Sequence, residues 1–379
     1  MKGGAHVPVF SSANSMREQL EFAVRRLKLS DVLVGWVAAK GRMLCGAGGI
    51  NMVLPDNLKT FLNEDAPAVF EVMTPAAEAD AEDLRSVLRG HGYPAAVATS
   101  PLADVRSIIV EGARVAELTP IPADLYARLA KLSLTGEDNM RVAPVQYLRM
   151  VMLYDLSRPE RSPTWQATFD LLLRTDRAFG AAAAGPEPPP NPAPDDAETR
   201  GLVLRAKAWL AKRPYIMCGY AAAAIALASS ASASSRPARI DPRSTCMDVL
   251  AADPAAAAQD LADELKKHAP DAKRVAVKAF KATALVPRGH TVLVGGRPLA
   301  GVYHANQCFA FVRVDGIRVA TIDTLLAMYL RAFLDGKNTE NLSSLCDLLT
   351  QQLYRNLGSG VDDPSFRRFV TDCYGPRPR

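Results

Sequence analysis

Residues 70–92, FEVMTPAAEADAEDLRSVLRGHG, recur in altered form as residues 247–269, MDVLAADPAAAAQDLADELKKHA. Three further pairs of blocks match in the same order along the chain: 43–51 with 216–224, 110–120 with 294–304, and 140–153 with 317–330. Two of the four pairs share an offset of 177 residues. Because self-similarity at a near-constant spacing is the signature of a repeated structural unit, we predict two tandem copies of one module.

A proline-rich segment separates the two copies. Residues 180–199 read GAAAAGPEPPPNPAPDDAET, and clustered proline favours an extended, solvated spacer. The length of 379 residues suits two domains of ordinary size. We therefore predict a first domain at 1–179, a linker at 180–200 and a second domain at 201–379. A low-complexity patch at 226–240 is expected to lengthen a loop in the second copy.

Local patterns predict a mixed α/β module. The strand VFEVM (69–73) leads to Thr74 as a helix N-cap and Pro75 at the first helical position. Glu111-Gly112 marks a turn between two strands over 105–119. Helical patterns cover 31–38, 50–62, 76–90 and 143–157. This order of elements fits a small mixed sheet backed by helices, repeated in each copy as a pseudo-dimer.

Composition sets broad limits on function. Apolar residues make up 49% and charged residues 22% of the chain, and the net charge of +5 permits a polyanionic partner without requiring one. Six cysteines without a C-x-x-C pair argue against zinc and against a disulfide framework, and they favour a reducing compartment. We see neither a signal peptide nor a run of 18 apolar residues, so no membrane segment is expected.

The first copy contains the residue types that nucleotidyl transfer requires. Gly46, Gly48 and Gly49 predict a turn whose backbone N–H groups approach a triphosphate closely. Glu71 and Glu117, on two strands, are candidate catalytic residues and ligands of Mg²⁺ or Mn²⁺. The alternatives without a function are an ordinary tight turn for the three glycines and a solvated strand face for the two acids.

A complete site of this kind has three carboxylates, two of them spaced i, i+2 on one strand. Val69 occupies one of these positions in the first copy, so two of the three are acidic. Glu64 or Asp65 would supply a ligand if the strand register were different. The corresponding positions of the second copy are Cys246, Asp248 and Gly301, which predicts that the second copy holds no metal site of this type.

Longer stretches resemble a known family. RVAELTPIP (114–122), YLRMVMLYDLSRPERSPTW (147–165), VYHANQC (302–308), RVATIDTLLAMYLRAFL (318–334) and RFVTDCYG (368–375) resemble the poly(A) polymerase catalytic subunits of nucleocytoplasmic large DNA viruses. The resemblance implies tandem nucleotidyltransferase-fold domains, two metal ions held by Asp residues, and addition of AMP from ATP to RNA 3′ ends. Position by position, the glycine pair corresponds to Gly46 and Ala47, and the aspartates correspond to Val69, Glu71 and Glu117.

Single-stranded RNA requires a basic groove and stacking rings. The candidates are Arg149, Arg158, Arg161 and Trp165, with Arg367 and Arg368 near the C-terminus. For each arginine the alternative is a solvated surface residue, and for Trp165 it is a core position.

Three functional hypotheses remain open. The chain is an active adenylyltransferase, a non-catalytic paralogue that binds RNA or dimerises with an active polymerase subunit, or a nucleotide-sensing or antiviral-type relic of a nucleotidyltransferase. The expected partners are ATP, RNA 3′ ends and a second subunit in a homodimer or heterodimer. The expected location is the virion or the host cytoplasm, in viral factories.

Overall fold

The computed structural model describes residues 13–59, 69–99, 105–136, 139–180, 197–228, 247–269, 271, 274–336, 339–358 and 372–376. The chain divides into two compact units, one formed by 1–53 and 59–143 and the other by 54–58 and 144–379. The border between the units therefore precedes the predicted linker at 180–200. Within that linker, residues 181–196 lie outside the described residues, and a helix begins at Ala197.

The first unit is a mixed sheet with helices. Its strand order is β3-β4-β5-β2-β1-β7-β6, in which β2 runs parallel to β5 and β1 parallel to β7. The elements are α1 (Ala13–Lys40), β1 (Met43–Cys45), α2 (Gly46–Asn51), β2 (Phe70–Thr74), α3 (Ala77–Gly90), β3 (Ala95–Thr99), β4 (Arg106–Val110), β5 (Ala113–Pro120), α4 (Ala123–Lys131), β6 (Leu134–Thr135) and β7 (Arg141–Val142).

The second unit repeats this sheet. Its strand order is β10-β11-β12-β9-β8-β14-β13-β15, which reproduces the first order strand for strand and adds β15 at the edge. Its elements are α5 (Val145–Leu156), α6 (Trp165–Phe179), α7 (Ala197–Ala211), β8 (Ile216–Cys218), α8 (Gly219–Ala228), β9 (Met247–Ala251), α9 (Pro254–Lys266), β10 (Val275–Phe280), β11 (Gly289–Val294), β12 (Arg297–His304), β13 (Phe309–Val314), β14 (Ile317–Ala320), α10 (Ile322–Leu334), α11 (Thr339–Gly358) and β15 (Cys373–Tyr374). Short 3₁₀ helices cover Asp56–Leu58 and Pro159–Thr164. The predicted α/β class and the tandem modules are confirmed.

Side-chain contacts repeat along with the strands. The indole N–H of Trp36 donates to Asp83 Oδ2 at 2.7 Å, and that of Trp209 donates to Asp260 Oδ2 at 2.9 Å. Each pair joins the first helix of its copy to the helix after the central strand. In both copies a basic side chain also reaches the aspartate: Lys40 in the first and Arg213 in the second. The sequence patterns did not predict this cluster of a tryptophan, an aspartate and a basic residue. It extends the internal repeat towards the start of each copy.

Several local predictions are confirmed. β2 covers most of the predicted strand, and α5 covers most of the predicted apolar helix. The turn between β4 and β5 has positive φ at both central residues, 53° at Glu111 and 81° at Gly112. Two positive φ angles are the requirement of the tight hairpin turn that matches the twist of the two strands.

Other local predictions need correction. Thr74 is the last residue of β2 and Ala76 is the N-cap of α3, although the Thr74 hydroxyl accepts the Ala76 N–H at 3.0 Å. The predicted helix over 50–62 is also wrong in its described part, because α2 ends at Asn51. Residues 60–68 lie outside the described residues.

The expectation about cysteines is corrected at one pair. Cys308 and Cys373 form a disulfide, with their Cα atoms 5.2 Å apart. β13 pairs with β15, with Phe309 opposite Tyr374, so the fold itself brings these distant cysteines together. Sequence spacing contains no information about such an edge pairing. No helix in the described ranges is long and apolar enough to cross a membrane.

Candidate functional site

Four polar side chains form a row across the sheet of the first unit, which we call the first-copy row: Cys45, Glu71, Glu117 and Ser107. Cys45 on β1 is opposite Glu71 on β2, Glu71 is opposite Glu117 on β5, and Glu117 is opposite Ser107 on β4. Directly opposed residues point to the same face of a sheet, and neighbouring strands lie about 4.8 Å apart. The structure thus brings together the two carboxylates that the sequence singled out.

Gly46 lies against the first of these carboxylates. Its φ is +63°, and a Cβ added there would lie 2.0 Å from Glu71 Oε1. Only glycine satisfies both the backbone angle and the contact. The neighbouring glycines differ, because a Cβ at Gly49 would meet the Leu44 backbone at 3.0 Å, and one at Gly48 would meet only the Val69 carbonyl, at 3.8 Å. Gly46 therefore borders the site, and Gly49 permits close packing of α2 on β1.

Cys45 begins the row with a neutral thiol. Burial raises its pKa well above the ordinary value, and the charges of Glu71 and Glu117 raise it further. Its Sγ lies 3.5 Å from the Glu71 carbonyl oxygen. Both carboxylates therefore act on this thiol, which stays protonated and adds no negative charge to the row. The sequence carried one signal for this residue, because MLCG (43–46) and IMCG (216–219) place a cysteine identically in both copies.

Glu117 already has a basic neighbour. The guanidinium of Arg114, three residues earlier on β5, forms an ion pair with it. The Arg114 side chain is 57% exposed and that of Glu117 is 26% exposed. Exposed pairs of this kind contribute little to stability, typically below about 1 kcal/mol. A ligand that competes for Glu117 therefore displaces Arg114 at small cost.

The donor set fits one metal ion better than two. Mg²⁺ binds proteins through one or two carboxylates together with substrate phosphates, and Glu71 with Glu117 supplies two. Val69 precedes β2 and has no donor atom in its side chain. Across the described residues, no three His, Cys, Asp or Glu side chains come together as a metal-binding group. Glu64 and Asp65, the alternative donors, lie outside the described residues.

The corresponding positions of the second unit form a second-copy row: Cys218, Asp248, Gly301 and Thr291. Cys218 on β8 is opposite Asp248 on β9, Asp248 is opposite Gly301 on β12, and Gly301 is opposite Thr291 on β11. The strand registers thus support the sequence alignment of Asp248 with Glu71 and of Gly301 with Glu117. Cys246 lies outside the described residues.

Asp248 lies closely between two glycines, whereas its counterpart in the first copy, Glu71, is opposite a second acid. A Cβ at Gly219 (φ +70°) would lie 2.4 Å from its Oδ2, and one at Gly301 would lie 2.5 Å from its Oδ1. The Gly301 N–H donates to Oδ1 at 3.2 Å. Burial raises the pKa of Asp248 to about 6, against the lowering effect of that single hydrogen bond. The second copy therefore retains an acid without a carboxylate partner on the adjacent strand.

The predicted RNA-binding arginines differ in availability. The Arg149 side chain is only 16% exposed and is held by Asp176, and it donates to the Gly180 carbonyl at 2.7 Å. Tyr354 donates to the same Asp176. Burial raises the pKa of Asp176, whereas Arg149 and Tyr354 act in the opposite direction. Arg149 thus anchors α5 to α6 in the second unit.

Arg158 and Arg161 lie near each other in the turn after α5. Arg158 pairs with Glu160 at 2.7 Å, and Arg161, 51% exposed, lies 3.9 Å from Asp155. Trp165 is buried, and its indole donates to the Asp155 carbonyl at 3.0 Å, which agrees with the core alternative. Arg161 is therefore the most accessible of the three predicted arginines. Arg367 and Arg368 lie outside the described residues.

Comparison with known proteins gives a structural relative. No protein-family model and no curated protein sequence matches the chain. A crystal structure of the Megavirus polyadenylate synthase superposes with a TM-score of 0.73 over 100% of this chain and 82% of that chain, at 14% sequence identity. At this identity the likeness establishes the fold alone, and on that ground the chain has a fold like that of a viral polyadenylate synthase.

Proposed function

We propose that this chain is a poly(A) polymerase-like nucleotidyltransferase that adds AMP from ATP to RNA 3′ ends without a template, and that its site is in the first copy. One observation carries the proposal: Glu71 and Glu117 are opposed on parallel strands, beside a glycine whose Cβ position the Glu71 carboxylate occupies. The fold shared with a polyadenylate synthase supports the same reading.

The residues of the first-copy row have distinct parts in this proposal. Glu71 and Glu117 would hold a Mg²⁺ or Mn²⁺ ion that arrives with the triphosphate, and such an ion offsets the charge that develops on the phosphate oxygens. Arg114, which pairs with Glu117, would have to release this carboxylate for it to hold an ion. Gly46 leaves room for the Glu71 carboxylate at the start of α2, where a side chain would displace it. Ser107 offers a hydroxyl at the far end of the row.

Fewer observations bear on the RNA and on the second subunit that the proposal includes. RNA would contact Arg161 first, because its side chain is 51% exposed, whereas Arg158 is 16% exposed and pairs with Glu160. The expected dimer partner and the location in the virion or host cytoplasm stay predictions. Each depends on the viral resemblance and not on a contact in the described chain.

A second candidate function is a non-catalytic partner of an active polymerase. Val69 favours it, because a site for two ions lacks one of its three carboxylates at that position. The described residues also contain no group of three metal ligands. In this alternative the protein binds RNA or a second subunit, and Glu71 and Glu117 are dispensable.

Primer extension with purified full-length chain distinguishes the two candidates. The reaction contains ATP, Mg²⁺ or Mn²⁺ and an RNA with a free 3′-hydroxyl. We expect tail growth that falls about 100-fold or more in Glu71→Gln and in Glu117→Gln, since loss of a metal ligand exceeds the effect of losing its outer partners. Glu78→Gln is the matched control, because Glu78 is an exposed acid in the first turn of α3.

Val69→Asp gives the opposite test in the same assay. It supplies the missing carboxylate two residues before Glu71, on the same face of the strand. We expect the variant to extend RNA faster than the native chain. Absence of extension by the native chain and by Val69→Asp, with RNA still bound in a salt-dependent manner, would establish the non-catalytic candidate instead.

A further inference from the structure

The second unit contains a pocket at the position of the second-copy row. Its volume is about 180 Å³, and Asp248 and Gly219 form part of its wall. The rest of the lining is mostly apolar and aromatic, including Leu250, Tyr303, Phe309 and Met328. Small-molecule sites in proteins combine this kind of wall with a few fixed polar groups.

Tyr329 is a residue of the pocket lining, and its hydroxyl is buried. Its side chain lines the cavity and is only 7% exposed. Within the described part of the chain, its hydroxyl has no hydrogen-bond partner. A buried hydroxyl without a partner costs roughly 1–3 kcal/mol, so a ligand that supplies the missing bond recovers this cost.

Asp248 supplies the second polar group. From the described residues it receives one hydrogen bond, from Gly301, and a carboxylate has room for several more. Burial and the Asp248 charge both act on the Tyr329 and Tyr303 hydroxyls, raising the pKa of each, so the acid and both phenols share one environment. Asp248 and Tyr329 both belong to the lining of this pocket, so a ligand that donates to Asp248 and reaches the Tyr329 hydroxyl would use both polar groups.

Phosphate is a poor occupant. The Asp248 carboxylate already lies at the N-terminus of α8, beside Gly219, where an anion would otherwise bind. The cation in the lining is Arg331, whose guanidinium stacks 4.3 Å from the centroid of the Tyr154 ring. A triphosphate would face Asp248 at close range without a compensating positive charge directed at it.

Aromatic side chains favour a flat ligand. The rings of Tyr220 and Tyr329 lie 6.2 Å apart, and those of Tyr303 and Phe280 lie 5.3 Å apart. Tyrosine faces stack on planar rings, and neighbouring donor and acceptor positions on such a ring would match a carboxylate and a hydroxyl.

We propose that the pocket of the second copy binds a neutral, planar heteroaromatic amine of nucleobase type, with its amino group donating to Asp248 and a ring nitrogen accepting from Tyr329. The site takes the base or nucleoside and disfavours the nucleotide. It is separate from the first-copy row and does not depend on the activity proposed for that row.

Calorimetric titration of the full-length chain in EDTA tests the proposal. The probes are adenosine, purine riboside, which lacks the amino group, AMP, and choline. We expect saturable binding of adenosine, at least tenfold weaker binding of purine riboside and AMP, and no binding of choline. Asp248→Asn and Tyr329→Phe each weaken adenosine binding at least tenfold, whereas Tyr126→Phe, a tyrosine of the first unit, does not.

Three outcomes overturn the proposal. Adenosine fails to bind at millimolar concentration, or choline binds in its place and reveals an aromatic cage for cations. Alternatively, adenosine binding persists in both second-copy variants and disappears in Glu71→Gln, which assigns it to the first copy. Thermal unfolding shows whether each variant is folded, and Tyr329→Phe keeps the test valid if Asp248→Asn is not.

Discussion

The first-copy row and the second-copy row occupy equivalent places in two sheets with the same strand order, yet they present different chemistry. Glu71 is opposite Glu117, whereas Asp248 is opposite Gly301. In the first row, two acids lie side by side and attract cations. In the second row, Gly301 has no side chain. Its N–H donates to Asp248, and the Tyr303 ring lies close to the place that a Cβ of residue 301 would occupy.

The difference teaches that one scaffold accommodates two different arrangements of polar groups at one pair of positions. The glycine at the turn is common to both rows, with φ of +63° at Gly46 and +70° at Gly219. The cysteine before it is also common. The two rows therefore differ in the length of the carboxylate side chain and in the residue opposite it, Glu117 in the first copy and Gly301 in the second.

The largest effect is expected from adding a methyl group at the turn. Gly46→Ala places a Cβ at the Glu71 carboxylate and forces a left-handed residue, so we expect a loss of about 2–5 kcal/mol in the free energy of unfolding. Gly112→Ala is the control, because its φ is +81° with open space around it. Urea titration measures both, and equal losses would show that the Glu71 contact is unimportant.

Gly301→Ala probes the second-copy row at the position that differs. Its Cβ would lie 2.5 Å from Asp248 Oδ1 and 2.9 Å from the Tyr303 ring. We expect a loss of about 1–3 kcal/mol from overpacking. In an Asp248→Ala background this cost should shrink, since the nearest atom is gone. A cost unchanged by that background would point to Tyr303 as its source.

Asp248→Asn tests the partly buried acid of the second copy through the pH dependence of stability. The folded pKa of about 6 is raised above the ordinary value, so the native chain loses stability as pH rises through this interval, from about 4 to 6. We expect the variant to match the native chain near pH 4 and to be more stable by about 1–2 kcal/mol at pH 8. The Asp248 charge also contributes to raising the pKa values of four neighbouring groups: Cys218, Tyr220, Tyr303 and Tyr329.

Those four groups remain neutral in this interval, so the difference in pH dependence between the variant and the native chain is assigned to Asp248. Melting temperatures at both pH values provide the measurement. A gain of equal size at pH 4 and pH 8 would contradict the assignment to a titrating carboxyl.

The smallest effect is expected where the two copies agree. Trp36→Phe and Trp209→Phe each remove an indole hydrogen bond to an aspartate, Asp83 or Asp260. We expect each to cost about 1 kcal/mol, the usual net contribution of one such bond. Denaturant midpoints of the two variants should agree. A large difference would show that the repeated cluster has diverged in energy despite its common geometry.

Part of the candidate site was predictable because the copies align. The matched blocks aligned Asp248 with Glu71 and Gly301 with Glu117, and they put the two residues of each copy on neighbouring strands. That the two residues of each copy lie directly opposite each other came from the structure. Cys45 carried a signal in the repeated MLCG and IMCG motifs. Arg114 carried none, because it is not repeated in the second copy, and Ser107, whose counterpart is Thr291, lies outside the matched blocks.

The predicted arginines show where local pattern fails. Arg149 and Arg161 look equally basic in sequence. However, Arg149 forms an ion pair with Asp176 of α6, whereas the Arg161 side chain remains 51% exposed. Burial of a charged side chain depends on the partner that folding brings to it, and that partner is 27 residues away for Arg149.

The sequence by itself determined the duplication, the mixed α/β modules, the hairpin at Glu111-Gly112 and the unequal supply of acids. Periodicity, turn chemistry and internal repeats are properties of the linear sequence, so they can be recognised without knowing which distant segments make contact. Only the tertiary structure decided the Cys308–Cys373 disulfide, the enclosure of Asp248 and the pocket beside Tyr329. These arise where segments far apart in the chain meet, and their energies depend on burial and distance, which no linear pattern records.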